Sequence, residues 1–204
     1  MKVGLYFGTF NPIHVGHLVI ANYMAEFTDL DQVWLVVTPQ NPLKNKKSLL
    51  ADYHRLALVN EAISDNFKLR SSDVEFKMQK PNYTSHTLSH LIDLHPSDEF
   101  SLIMGEDNLR NLHKWFNYEQ ILKNHTVYVY PRVLTPQEEM AIGEIENESI
   151  DQFKNNSNVK FCSDAPVMKV SSSFIRAAIK NKKDVRYLLT EPVFRYVDEM
   201  NFYK

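Results

Sequence analysis

The chain alternates short unbroken apolar runs with longer segments in which apolar residues return every three or four positions. Val3 to Phe7, Gln32 to Val37 (QVWLVV), Phe100 to Met104 (FSLIM), Thr126 to Tyr130 and Val159 to Cys162 are of the first kind, and Phe67 to Phe76 also reads as strand. Unbroken apolar strands are expected where both faces of a parallel sheet are covered. Val15, Leu18, Val19, Tyr23 and Phe27 recur at helical spacing and predict a helix directly after the first strand. Leu56, Val59 and Ile63 predict another, capped by Asp52 and running to about Ser64. Further helices are expected from about Ser85 to Leu94, in two short pieces between Asn108 and Asn124, from Ser171 through Ile179, and from Pro192 to Met200. Pro131 to Asn158 is polar and acidic and reads as a loop-plus-helix excursion. Strands alternating with helices predict an α/β fold with a parallel sheet, and a site built from loops at the carboxyl ends of the strands.

Composition narrows the picture without changing it. A length of 204 residues fits one domain better than two, so residues 1–204 are taken as a single unit with a helical C-terminal part from about 171. With 23 basic against 25 acidic residues the chain is not a general nucleic-acid binder, which would be basic. Cys162 is the lone cysteine, so neither an intrachain disulfide nor a cysteine-rich zinc site is expected. There is no signal-peptide pattern and no run long enough for a membrane span, so a cytoplasmic protein with no membrane partner is expected. Self-association is left open.

Two stretches carry candidate chemistry. The first is Gly8-Thr9-Phe10-Asn11-Pro12-Ile13-His14-Val15-Gly16-His17, a turn from strand straight into helix. The first backbone N–H groups of that helix and the positive end of its dipole face the turn, which suits phosphate. His14 and His17, three apart, share a helix face and could donate to phosphate oxygens; a metal pair or two ordinary histidines near a cap are the competing readings. The second is Val170-Ser171-Ser172-Ser173-Phe174-Ile175-Arg176, hydroxyls at a helix start followed by an arginine. It makes either a second anion cradle or a serine-capped helix with a surface arginine. His86-Thr87-Leu88-Ser89-His90 has the histidine spacing of a zinc-protease helix, but Thr87 stands where the catalytic glutamate would be, so it reads as an ordinary helix face.

Taken together, GTFNPIHVGH and VSSSFIR resemble the two signatures of the nucleotidylyltransferase superfamily, in the expected order. Thr38-Pro39-Gln40-Asn41-Pro42-Leu43-Lys44, Pro81-Asn82-Tyr83-Thr84, Met104 to Leu109 and His113-Lys114-Trp115 are similar to bacterial nicotinate-nucleotide adenylyltransferases, and so are Tyr187-Leu188-Leu189 and Val193 to Tyr203. The resemblance implies a Rossmann-like doubly wound parallel sheet. It also implies an enzyme that joins ATP and nicotinate mononucleotide into nicotinate adenine dinucleotide and pyrophosphate, in NAD biosynthesis. ATP is then a substrate, and Mg²⁺ is expected to ride mainly on the phosphates, with no residue assigned as a metal ligand.

By the same resemblance, Gly8, Thr9 and Phe10 form the floor under the nucleotides, and His14 and His17 meet the ATP phosphates, His17 nearest the reacting centre. Ser172 and Ser173 are expected to cap their helix and, with Arg176, to hold the outer phosphates, while Gly105 and Asp107 hold a ribose. Lys44 draws the two anions together. Asn11, Tyr83, Thr84 and Trp115 complete the mononucleotide side, Trp115 stacking on the pyridine ring unless it is simply core. Three positions depart from the bacterial pattern: Phe7 for the first glycine, Asn11 for the commoner aspartate, and Pro131-Arg132 for Arg-Pro, which leaves Arg132 without an assigned role. The rivals are the same fold with nicotinamide mononucleotide or phosphopantetheine as acceptor, and a nucleotide sensor without catalysis.

Overall fold

The computed structural model describes residues 1–39, 49–133 and 150–204. All described strands run parallel in one sheet: β1 (Lys2–Gly8), β2 (Gln32–Val37), β3 (Leu69–Ser72), β4 (Glu99–Gly105), β5 (Val127–Tyr130) and β6 (Val159–Phe161). Their spatial order is β3-β2-β1-β4-β5-β6. The chain thus winds outward from β1 in one direction and then, from β4, in the other. The crevice between the carboxyl ends of β1 and β4 is the switch point at which such sheets bind ligands.

Alternation along each strand splits the core in two. Tyr6, Val33, Leu35, Val37, Ile103 and Tyr128 face one side, where they pack under α1 (Val15–Phe27), α2 (Asp52–Ile63), α6 (Ser172–Lys180) and α7 (Glu191–Glu199). Val3, Leu5, Trp34, Val36, Leu102 and Val129 face the other, under α3 (Thr84–Leu94), α4 (Glu106–Arg110) and α5 (Tyr118–Asn124). Ile175, Val185, Val193 and Val197 belong to the first of these clusters, so the C-terminal helices share its core. No described helix is long and apolar enough to cross a membrane.

Several expectations need correction. The strand predicted over 67–76 is real only at Leu69–Ser72; Val74–Lys77 is a 3-10 turn. Polar Ser71, Ser72 and Asp73 interrupt the run, and Glu75 turns inward, where it is buried. Asp52 is not the cap of α2 but its first residue, after Ala51, because its carboxylate is taken by Arg55. The stripe that predicted α1 is not the stripe that α1 buries. Ile20, Ala21, Met24 and Ala25 go into the core, while Phe27 is 72% exposed. The apolar content of α1 runs most of the way round, so periodicity found the helix and misread its inner face. Within 131–158, helix is described at 150–154; residues 134–149 lie outside the described set.

Candidate active site

The first motif leaves β1 at Gly8 and enters α1 at Val15. Gly8 has no room for a side chain: a Cβ there would stand 2.8 Å from the Phe10 ring, which folds back beneath the turn. Phe10 accepts a left-handed backbone, φ 43°, to do so, and its ring is buried. Phe10 therefore presents no open ring face at the turn. Gly16 is bare for a similar reason, since a Cβ would lie 2.7 Å from Val170 and 3.1 Å from the His14 ring. That contact sets the start of α6 directly against the start of α1.

His14 is the N-cap residue of α1 and is buried. Its ring stacks on His17 with centroids 3.8 Å apart. The backbone N–H of His14 donates to His17 Nδ1 at 3.3 Å. A neutral imidazole that accepts at Nδ1 carries its proton at Nε2, so this bond makes His17 an Nε2–H donor. The edges of Phe10, at 5.1 Å, and Tyr6, at 6.2 Å, fix the plane of the His17 ring.

Burial, and then the Arg132 charge, pull the His14 pKa down to about 4 from an ordinary 6.5. His14 is therefore neutral at pH 7. The sign for stability follows from linkage: below pH 6.5 the unfolded chain takes up a proton that the folded chain refuses, so stability falls from pH 6.5 toward 4. Denaturant unfolding at pH 7.5 and 4.5 is expected to show wild type losing ~2–3 kcal/mol more than His14→Asn. Equal losses in the two proteins would remove His14 as the cause.

The second motif meets the first. Ser171 caps α6, its hydroxyl accepting from the Phe174 N–H at 3.2 Å, so the cap expected at Ser172 and Ser173 lies one residue earlier. Ser172 Oγ donates to Pro12 O at 2.8 Å, and Arg176 Nη1 donates to Asn11 O at 2.8 Å. Arg176 Nη2 also donates to Ser173 Oγ at 3.2 Å. Two stretches some 160 positions apart are thus pinned together through carbonyls of the turn.

At the end of β4, Asp107 Oδ2 accepts from Arg132, while Asp107 Oδ1 is buried with no partner among the described residues. Arg132, left without a role above, therefore belongs to the same edge as the ribose candidates Gly105 and Asp107. Further along that edge Tyr83 precedes α3 and Thr84 begins it. The exposed rings of Tyr83 and Phe116 lie 5.0 Å apart, and Trp115 is partly buried against the second core cluster, as is Phe7. Glu75 braces the turn from behind. Its carboxylate accepts from Thr87 Oγ1 at 2.8 Å and its backbone O from Asn82 Nδ2 at 2.9 Å, and burial pushes its pKa up.

Lys44 lies outside the described residues. Both ends of its segment are nonetheless held, by a residue that sequence reasoning overlooked. Arg55 is fully buried and spends all five N–H groups: on Leu50 O, Thr9 O, Thr38 O, Pro39 O and Asp52. The signal was present, since Arg55 sits four residues before Val59 on an apolar helix face, with Asp52 one turn earlier. Asn11, expected on the mononucleotide side, is buried, and its Oδ1 accepts from Leu50 N at 3.2 Å and Tyr203 Oη at 2.8 Å.

A parallel sheet wound both ways from a phosphate-type turn, with a serine-arginine helix locked onto that turn, has the construction of a nucleotidylyltransferase. The family model described as cytidylyltransferase-like matches residues 5–178. A protein of Flavobacterium psychrophilum named probable nicotinate-nucleotide adenylyltransferase is 58% identical over the full length of both chains. One of the same name from Bacteroides fragilis is 41% identical, over 96% of this chain and 90% of its own. Among solved structures, the nicotinic acid mononucleotide adenylyltransferase of Plasmodium falciparum, complexed with APC, superposes with a TM-score of 0.73 at 17% identity, covering 99% of this chain and 96% of its own. The chain belongs to the cytidylyltransferase-like family, in its nicotinate-nucleotide adenylyltransferase branch.

Proposed function

We infer that this enzyme transfers an adenylyl group from ATP to nicotinate mononucleotide, giving nicotinate adenine dinucleotide and pyrophosphate in NAD biosynthesis. The observation that carries the reading is the convergence at one turn of a stacked histidine pair and the serine-arginine start of α6. A phosphate oxygen of the mononucleotide attacks the α-phosphorus of ATP in line, and the bond to the bridging oxygen of pyrophosphate breaks. The nucleophile is already an anion, so no proton has to be removed. Positioning and charge stabilisation carry the rate.

In this reading His17, an Nε2–H donor, serves the phosphate that gains charge in the transition state, and neutral His14 stacks behind it. Ser172, Ser173 and Arg176 flank the outer phosphates, over a floor of Gly8, Thr9 and Phe10. Gly105 and Asp107 serve the ATP ribose, a carboxylate being able to accept from both hydroxyls of a cis-diol. Lys44 serves the phosphates where the two substrates meet. Tyr83, Thr84 and Trp115 form the mononucleotide side, with Asn11 beneath. Mg²⁺ travels with the triphosphate. The turn offers imidazole, hydroxyl and guanidinium groups, whereas this ion prefers phosphate oxygens and water.

The test is a pyrophosphate-release assay with Mg-ATP and either nicotinate or nicotinamide mononucleotide. Turnover is expected to be faster with nicotinate. Faster turnover with the amide would overturn the acceptor assignment, and no turnover with either would overturn the reaction.

A further inference from the structure

The C-terminal end of the chain reaches the floor of the active-site turn. After α7 the backbone bends back through two residues in the left-handed region, Asn201 at φ 54° and Tyr203 at φ 65°. Neither is glycine, and such positions persist only where surrounding contacts hold them. The contacts here are specific. Phe202 N donates to Val197 O at 3.0 Å, and the Phe202 ring meets His54 of α2 edge-on at 4.7 Å. The bend then delivers the Tyr203 hydroxyl to Asn11 Oδ1 at 2.8 Å.

Asn11 Oδ1 has a second donor, the Leu50 N–H, at 3.2 Å. Leu50 closes the segment that carries Lys44, and its own carbonyl accepts from Arg55 Nε at 3.1 Å. The Asn11 backbone carbonyl meanwhile holds Arg176. A single buried residue of the turn therefore joins the chain terminus, the end of the lysine segment and the arginine of α6.

We propose that Tyr203 is a positioning residue for adenylyl transfer, latching the C-terminal tail onto Asn11 so that the turn, Leu50 and Arg176 keep one geometry. It touches no substrate and acts through Asn11. The chemistry favours a hydroxyl at this place. Asn11 Oδ1 can accept two bonds, and loss of one leaves a buried acceptor free to turn away from Leu50. An aspartate in place of Asn11 would keep the acceptor. The role rests on the adenylyl-transfer reading of the site.

Tyr203→Phe tests it in the whole chain, since the ring still fills its place. The expected result is kcat/KM for nicotinate mononucleotide down about five- to tenfold, the worth of one hydrogen bond. The mononucleotide KM is expected to rise more than the ATP KM, because Leu50 leads to the lysine segment. Asn11→Ala combined with Tyr203→Phe is expected to be no worse than Asn11→Ala alone. A merely structural tail would lower Tm and leave both KM values and kcat per folded enzyme unchanged, and that outcome overturns the proposal. Additive losses in the double variant overturn it too. Wild-type enzyme without turnover would instead sink the adenylyl-transfer reading, and this role with it.

Discussion

His17→Ala is expected to lower kcat by roughly two to three orders of magnitude, the usual cost of removing one preorganised donor from a developing charge. The geometry behind that figure is the tautomer lock. His14 N donates to His17 Nδ1, so the Nε2 proton is in place before substrate arrives. Phe10, Tyr6 and the His14 ring hold the plane of the imidazole, and little reorganisation is left for the reaction step. The loss should fall on kcat and kcat/KM alike, the sign of an interaction made in the transition state. Stability should fall only by about 1 kcal/mol, the worth of a lost cap contact. Steady-state kinetics beside a thermal melt check both halves. A folded variant turning over at near the wild-type rate would remove His17 from the chemistry.

What could be read from sequence here was what is local. Gly8 to His17 and Ser171 to Arg176 each carry their meaning within a turn and a helix start, and both fold as their residues dictate. Most strands could be read because burial on both faces leaves an unbroken apolar run. Failures came where a distant partner decides the outcome. Asp52 looks like a cap until Arg55, drawn inward by the carbonyls of Thr9 and Thr38, takes its carboxylate, and the Asn11 side-chain oxygen looks open until Leu50 and Tyr203 take it. The stretch 67–76 has strand-like residues, yet only four of them find a partner, on β2 at the sheet edge. Pairing is a property of the sheet, not of the stretch. Pro131-Arg132 departs from the family order, and nothing within that stretch announces that Arg132 meets Asp107, 25 positions earlier.

Those long-range partners are not scattered. Arg55 ties Thr9, after β1, to Thr38 and Pro39, after β2. Thr38 N also donates to Gly8 O at 2.9 Å. Arg176 and Ser172 tie the other flank of the same turn to α6. In the proposed reaction the short motifs supply groups for phosphate, and the residues between them supply a frame that keeps those groups in register. Catalysis by positioning needs both, since a displacement of about 1 Å can cost a hundredfold in rate.

The second large effect lies in that frame. Arg55→Met is expected to destabilise the protein by ~3–5 kcal/mol, the cost of breaking a buried charge-paired network. The side chain is fully buried and its five N–H groups all have acceptors. Methionine fills part of the space but leaves four carbonyl groups without their donor. Burial pulls the guanidinium pKa down against the opposing pull of Asp52, and arginine is in any case charged at neutral pH. In a chain of this length the loss should appear as a fall in Tm of about 10 °C or more. Arg55→Lys should recover only a small part of it, because an ammonium offers three donors from one point and cannot span carbonyls on both sides of a planar fork. Turnover per folded molecule should fall as well, since Thr9 and both ends of the Lys44 segment lose their common anchor. A melt of Arg55→Met within ~2 °C of wild type, which corresponds to less than about 1 kcal/mol, would show that the frame stands without it.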